Sequence, residues 1–451
     1  MSSLKQASKS LFILGTGLVI YWQPLGRWIP IKPSDIVFIL GLCAWMLVSL
    51  KEKRTPQLSG GSMMPVLPIL ALLVSVLGAT LAGYLRYHLA MTREGAILLI
   101  RLAVCMALFL AVGRFALIDR GFRRRTGLAL LSPIALFPAM LVPAVALSMW
   151  GGDGRFQGLT VNPNTADLAF IIALALAGTL AMHAVAMKHP RAAAGFSIVA
   201  IGMLTLIVWT ESRAYLVGAF ASVIVGGALT ASSLKLPKLR VAAAAAGVCA
   251  VAATASVLLG PPSLAHSYLI RMSLETSAAQ QTEALSNWAR ISASGGPPPQ
   301  ASGRRSAVDR GAFGRLVRFR DAIGRRLIEN PHVQAAAYYA QLLSTNSLGF
   351  GVNYGEKFFI YFPWINRNHQ GANSILDVPV YGGIGAVLSV AYLMFLVARR
   401  IKEHLAAEAD ETTSYGLAAA AALGGLWVAA ILLGSPIFDY QFWIVSAIAL
   451  S

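Results

Sequence analysis

"NPNTADLAFIIALALAGTLAMHAVAMKHPRAAAGFSIVAIGMLTLIVWTESRAYL", residues 162–216, carries two apolar runs of about the length that crosses a ~30 Å hydrocarbon layer. The first, near 166–187, is entered through Asn162-Pro163-Asn164, a strong turn signal, with Asn164 or Thr165 placed to cap the helix. It leaves through the basic loop KHPR, 188–191. The second, near 192–211, meets a third run at 213–234 with almost no loop, so Glu211, Ser212 and Arg213 stand at a membrane boundary. Apolar stretches in succession, with charge confined to the joints, describe a helical membrane bundle.

The same pattern extends in both directions. About twelve spans are expected, near 10–23, 36–50, 63–85, 95–118, 127–149, 166–187, 192–211, 213–234, 241–260, 375–398, 415–435 and 438–450. This is an all-α polytopic membrane protein in three parts: residues 1–260 with spans one to nine, a large loop 261–374, and residues 375–451 with spans ten to twelve. The composition agrees, at 57% hydrophobic and 12% charged, where a soluble domain carries roughly 25% charged residues. Cys43, Cys105 and Cys249 fall inside apolar runs without metal-ligand or disulfide spacing, and read as small buried hydrophobes.

The basic joints KEKR (51–54), DRGFRRR (119–125), KHPR, KLPKLR (235–240) and RRIK (399–402) all follow even-numbered spans. They belong with both termini on the cytoplasmic face. The formal charge of +18 asks for an anionic partner beyond this topological bias. Lipid phosphates or a diphosphate suit a chain with no soluble basic domain, and nucleic acid does not.

The long loop then lies outside. SGGPPPQASGRRS (294–306) reads as a linker. DRGAFGRLVRFRDAIGRRLIENP (309–331) reads as an amphipathic basic helix, on which Arg318 and Arg320 face either an acceptor or lipid headgroups. A second helix is expected at 332–343. A loop of this length is more than a connector. Inside the bilayer, Arg101 stands about six residues into the fourth span, too deep for easy snorkelling, and is a ligand-binding candidate. Arg114 and His183 lie near inner ends, where interfacial roles suffice.

Four stretches, GLTVNPNTADL, TESRAYLVGA, LGFGVNYGEKFF and HQGANSILDVPVYGGIGAVL, resemble in that order the signature regions of the O-antigen ligase / O-antigen polymerase superfamily. The resemblance covers roughly 150–400. It implies a multispan enzyme of the bacterial inner membrane with its active site facing the periplasm. Such enzymes move a glycan from undecaprenyl diphosphate onto lipid A–core (ligases) or onto another lipid-linked repeat (polymerases); related members build exopolysaccharides. The family pattern His-Asn-x-x-Leu is met here by ANSIL (372–376), so Ala372 stands at the histidine position. His369, three residues earlier, shares a face with Asn373 if the segment is helical.

The resemblance implies His369 as general base and Asn373 as its orienter or an acceptor contact. Arg101, Arg213 and, more weakly, Arg155 would bind the diphosphate, since guanidinium holds phosphate bidentately and keeps its charge. Asn162 and Asn164 match the family by pattern and serve either the acceptor or the turn. No Asp-x-Asp occurs and no dense carboxylate cluster is evident on the outer side, which argues for arginine in place of a divalent metal. No P-loop is present, so no metal or other cofactor is expected and the donor supplies the energy. The basic charge favours the ligase, whose lipid A–core acceptor is polyanionic. A polysaccharide or lipid transporter or flippase is the alternative from another class, and would show repeats or broken helices near the midplane. A non-catalytic scaffold is favoured only by Ala372.

Overall fold

The computed structural model describes residues 2–19, 33–51, 66–87, 91, 93–150, 156, 158–159, 163–210, 212–235, 237–259, 346–352, 374–407, 410–432, 437 and 439–451. Among these the chain is all-helical, apart from an isolated bridge between Trp150 and Phe156. The helices are α1 (Ser2–Leu18), α2 (Pro33–Lys51), α3 (Val66–Tyr87), α4 (Arg93–Ile118), α5 (Arg120–Ala129), α6 (Leu136–Ala139), α7 (Pro143–Ser148) and α8 (Pro163–Ala186). They continue as α9 (Pro190–Trp209), α10 (Arg213–Ser233), α11 (Lys238–Leu259), α12 (Ser374–Ala406), α13 (Glu411–Leu432) and α14 (Tyr440–Leu450). Eight helices among the described residues, α2, α3, α4, α8, α9, α10, α12 and α13, are long and apolar enough to cross a membrane.

The expected fifth span, 127–149, is a correction. It is a chain of short pieces: the end of α5, a 3₁₀ turn at Ser132–Ala135, α6 and α7. Pro133, Pro138 and Pro143 each remove a backbone donor and crowd the preceding turn, so no single helix runs through. The cap of the sixth span also differs. Proline fits the first helical position, so α8 begins at Pro163, and Asn164 and Thr165 lie inside its first turn. Cys105 is buried as expected, but Cys43 is exposed on the flank of α2. Of the long loop, residues 346–352 and Ser374 are described; the amphipathic helices expected at 309–331 and 332–343 lie outside the described residues.

Two helices form the centre. Burial reaches 72% of the α8 span and 83% of α13, against 33–44% for the other six, so those six are apolar on faces turned away from protein. α10 packs closely on α13 because both present small residues. A Cβ on Gly218 would stand 2.7 Å from the Gly425 carbonyl and 2.8 Å from the Ala429 Cβ. Close backbone approach of this kind is how helices associate where lipid removes the hydrophobic drive.

Contacts at the helix ends fix which joints share a face. Lys9 of α1 pairs with Asp119 after α4, and Asp119 also caps α5 by accepting from the Phe122 amide at 3.0 Å. That hydrogen bond from Lys9 holds the Asp119 carboxyl below the usual carboxylate range. Arg120 reaches Asp410 at 3.8 Å, and Arg400 donates to the Ser451 carbonyl at 2.9 Å. The basic joints after α4 and α12 therefore gather at one end with the start of α1, as alternating spans require.

Candidate functional site

The opposite end collects polar residues from distant stretches. α8 leaves it and α9 returns to it. Thr210, the C-cap of α9, donates its hydroxyl to Asp167 Oδ1 at 2.8 Å, and both residues have no exposed surface. The Phe156 amide donates to the Trp209 carbonyl at 3.1 Å, and the rings of Trp150, Phe156 and Trp209 meet at 5.4–5.9 Å. A turn with almost no loop follows, with Ser212 as N-cap residue of α10. Tyr215, buried in the first turns of α10, lies in the electrostatic field of both Asp167 and Asp439.

Arg101 stands beside this wall. Its guanidinium lies 5.5 Å from the ring centroid of Tyr440, a cation–π arrangement. Asp439 and Asp35 both act on it electrostatically. Asp439 is the N-cap of α14 and accepts from the Gln441 amide at 3.0 Å. Asp35 lies in the first turn of α2 and acts electrostatically on Tyr440 as well. α2, α4 and α14 are thus joined at one end by a network of two carboxylates, a guanidinium and a phenol. Two carboxylates far apart in sequence, Asp35 and Asp439, thus act on one guanidinium; among the described residues no group of three or more His, Cys, Asp or Glu is placed to hold a metal ion.

The third part is a strap. Residues 346–352 fit into a break in α12, where Gly383 has φ 64° and ψ −160° and Pro379 lies a turn earlier. In an unbroken helix the Ile384 amide would bond the Val380 carbonyl. Here the Phe350 amide takes that carbonyl at 2.7 Å, and the Ile384 amide donates to the Ser347 carbonyl at 2.8 Å. Asn346 closes the strap's own turn, its Nδ2 donating to the Gly349 carbonyl at 2.7 Å and its Oδ1 accepting from the Leu348 amide at 3.2 Å. The Val352 amide reaches the Thr80 hydroxyl of α3 at 3.3 Å. Gly349 and Gly351, at φ 81° and 80°, hold backbone against backbone where a side chain would collide with Gly383 or Thr80. Irregular backbone at such depth persists only where protein satisfies its polar groups.

The four stretches of the sequence thus come together in pairs. Asp167 of the first meets Thr210 of the second, and Phe350 of the third meets Val380 of the fourth. Of the candidate residues, Arg101 is placed among carboxylates. Arg213 is the first residue of α10 and Asn164 lies in the first turn of α8; the side chains of both are outside the described set. Arg155, Asn162, Arg318, Arg320, His369 and Asn373 lie outside the described residues altogether.

Sequence reasoning passed over Asp35, Asp167, Tyr215, Asp439 and Tyr440. Carboxylates within a few residues of a span end were the available signal, because ionisable groups at membrane depth mark function by default. Thr80 and Asn346 carried no such signal.

No family model, no curated protein and no solved structure matches this chain.

Proposed function

We propose that this chain is a membrane glycosyltransferase that takes a glycan from undecaprenyl diphosphate, with lipid A–core as acceptor in the manner of an O-antigen ligase. A polymerase joining the glycan to a second lipid-linked unit uses the same donor and differs in the acceptor. The observation that supports this reading is the pairwise meeting of the four stretches that resemble the superfamily. The two pairs lie 43 and 30 positions apart in the chain (210 − 167 and 380 − 350), and both stand at one end of a membrane bundle, the arrangement a site built from separate spans requires.

In this proposal positive charge stabilises the departing diphosphate, and His369 removes the proton of the acceptor hydroxyl with Asn373 beside it. Arg101 already balances Asp35 and Asp439. The diphosphate is therefore assigned first to Arg213 and Arg155, and Arg101 to bridging the ends of α2, α4 and α14. The test is reconstitution in proteoliposomes with a lipid-linked oligosaccharide donor and either lipid A–core or donor alone. Transfer product that disappears with Arg213→Ala and His369→Ala, with the fold kept, supports the reading. Full activity of His369→Ala removes that residue as base.

A second reading rests on the broken α12. Discontinuous spans are the hallmark of many transporters, whose ligands sit at the break. The same proteoliposomes separate the two. A transporter or flippase moves labelled lipid-linked glycan between leaflets and makes no new glycosidic bond.

A further inference from the structure

We infer that the strap 346–352 and the break in α12 form a two-state element, in which the strap withdraws and α12 closes into a continuous helix. The inference does not rest on glycosyl transfer. It rests on how the hydrogen bonds are exchanged. The strap contributes one acceptor, the Ser347 carbonyl, and one donor, the Phe350 amide. These take the two groups, Ile384 N–H and Val380 C=O, that bond each other in a helix. When the strap leaves, the two groups pair again and α12 loses no backbone hydrogen bond. The strap's own groups then go to water or lipid headgroups.

Three further features permit this. Gly383 holds a backbone conformation that essentially only glycine adopts, and glycine is equally free to become helical. Pro379 lies inside α12 with the break open, so its missing N–H is common to both states and adds no further loss on closing. The strap is anchored unevenly: Phe350 and Val352 are buried against the bundle, while Ser347 and Leu348 face outward. Its outer corner lifts first, and Phe350 must follow for the Val380 carbonyl to be released. Since 346–352 belongs to the long connection between α11 and α12, withdrawal changes where that connection is tethered to the membrane body.

Amide hydrogen exchange of the full chain in detergent micelles, read at single residues by fragmentation mass spectrometry, tests this. A Cβ at position 383 would collide with the Leu348 backbone and favours helical geometry, so Gly383→Ala pushes the strap out. The expected result is exchange at Phe350 faster by about tenfold or more, on the scale of the backbone strain removed, with Ile384 remaining protected. Asn346→Ala, which removes the strap's internal bonds without touching α12, gives the same split pattern and decides the matter if Gly383→Ala fails to fold. Loss of protection at Phe350 and Ile384 together means α12 cannot close, and overturns the inference. Protection unchanged at both residues in a folded variant overturns it as well.

Discussion

Thr210 and Asp167, 43 residues apart in sequence, meet at 2.8 Å with neither exposed, and they tie the end of α9 to the start of α8. A carboxylate in such a place is stabilised chiefly by its donors, because water is excluded. Thr210→Val removes a hydroxyl while keeping the shape. It is expected to cost about 1–3 kcal/mol, read as a lower melting temperature in detergent. Thr210→Ser, which restores the hydroxyl, returns most of that loss. A Val variant that melts like the parent removes the bond from the account of stability.

The network around Arg101 predicts coupling. Arg101→Ala removes the cation on which both Asp35 and Asp439 act. It should therefore destabilise the bundle more than it does in a background that already carries Asp439→Asn. A double-mutant cycle on melting free energies should give an interaction of about 0.5–3 kcal/mol. Additive effects would place Arg101 outside the network. Such a result would restore it as a free phosphate ligand.

At the other end, Lys9 and Asp119 give a pH dependence. The hydrogen bond from Lys9 lowers the folded pKa of Asp119 below its unfolded value. The pair's contribution is therefore fully present above the unfolded carboxylate pKa and is lost as pH falls through the lowered folded one. The stability difference between the parent and Lys9→Gln should be constant near neutrality and shrink towards zero on acidification. Because the pair is partly solvated, the difference is small and should fall further in high salt. A difference that grows on acidification contradicts the assignment.

Close packing of α10 on α13 predicts intolerance at Gly218. Any side chain there meets backbone, since the nearest atom is the Gly425 carbonyl. Gly218→Val is expected to cost about 1–3 kcal/mol or to block folding, whereas Gly178→Ala, with open space around it, should be nearly silent. Expression and thermal stability of the two variants in detergent make the comparison. Equal behaviour would show that the helices separate readily at this seam.

The sequence by itself determined the class of fold. Runs of about 20 apolar residues and basic joints after every second span are local properties of the chain. The joint at 119–125 does meet the connection that follows 399–402, through Arg120 and Asp410. Even there, proline overruled composition at 127–149, since hydropathy measures partition into lipid and not whether a helix can continue. The candidate site was legible only as four separate stretches. Whether Asp167 faces Thr210, whether Arg101 sees lipid phosphate or two carboxylates, and whether 347–350 closes a break thirty residues later are long-range matters. Only the tertiary structure decided them. A buried polar group takes whatever partner the packing of distant helices brings within hydrogen-bond reach, and nothing in its sequence neighbourhood specifies which one.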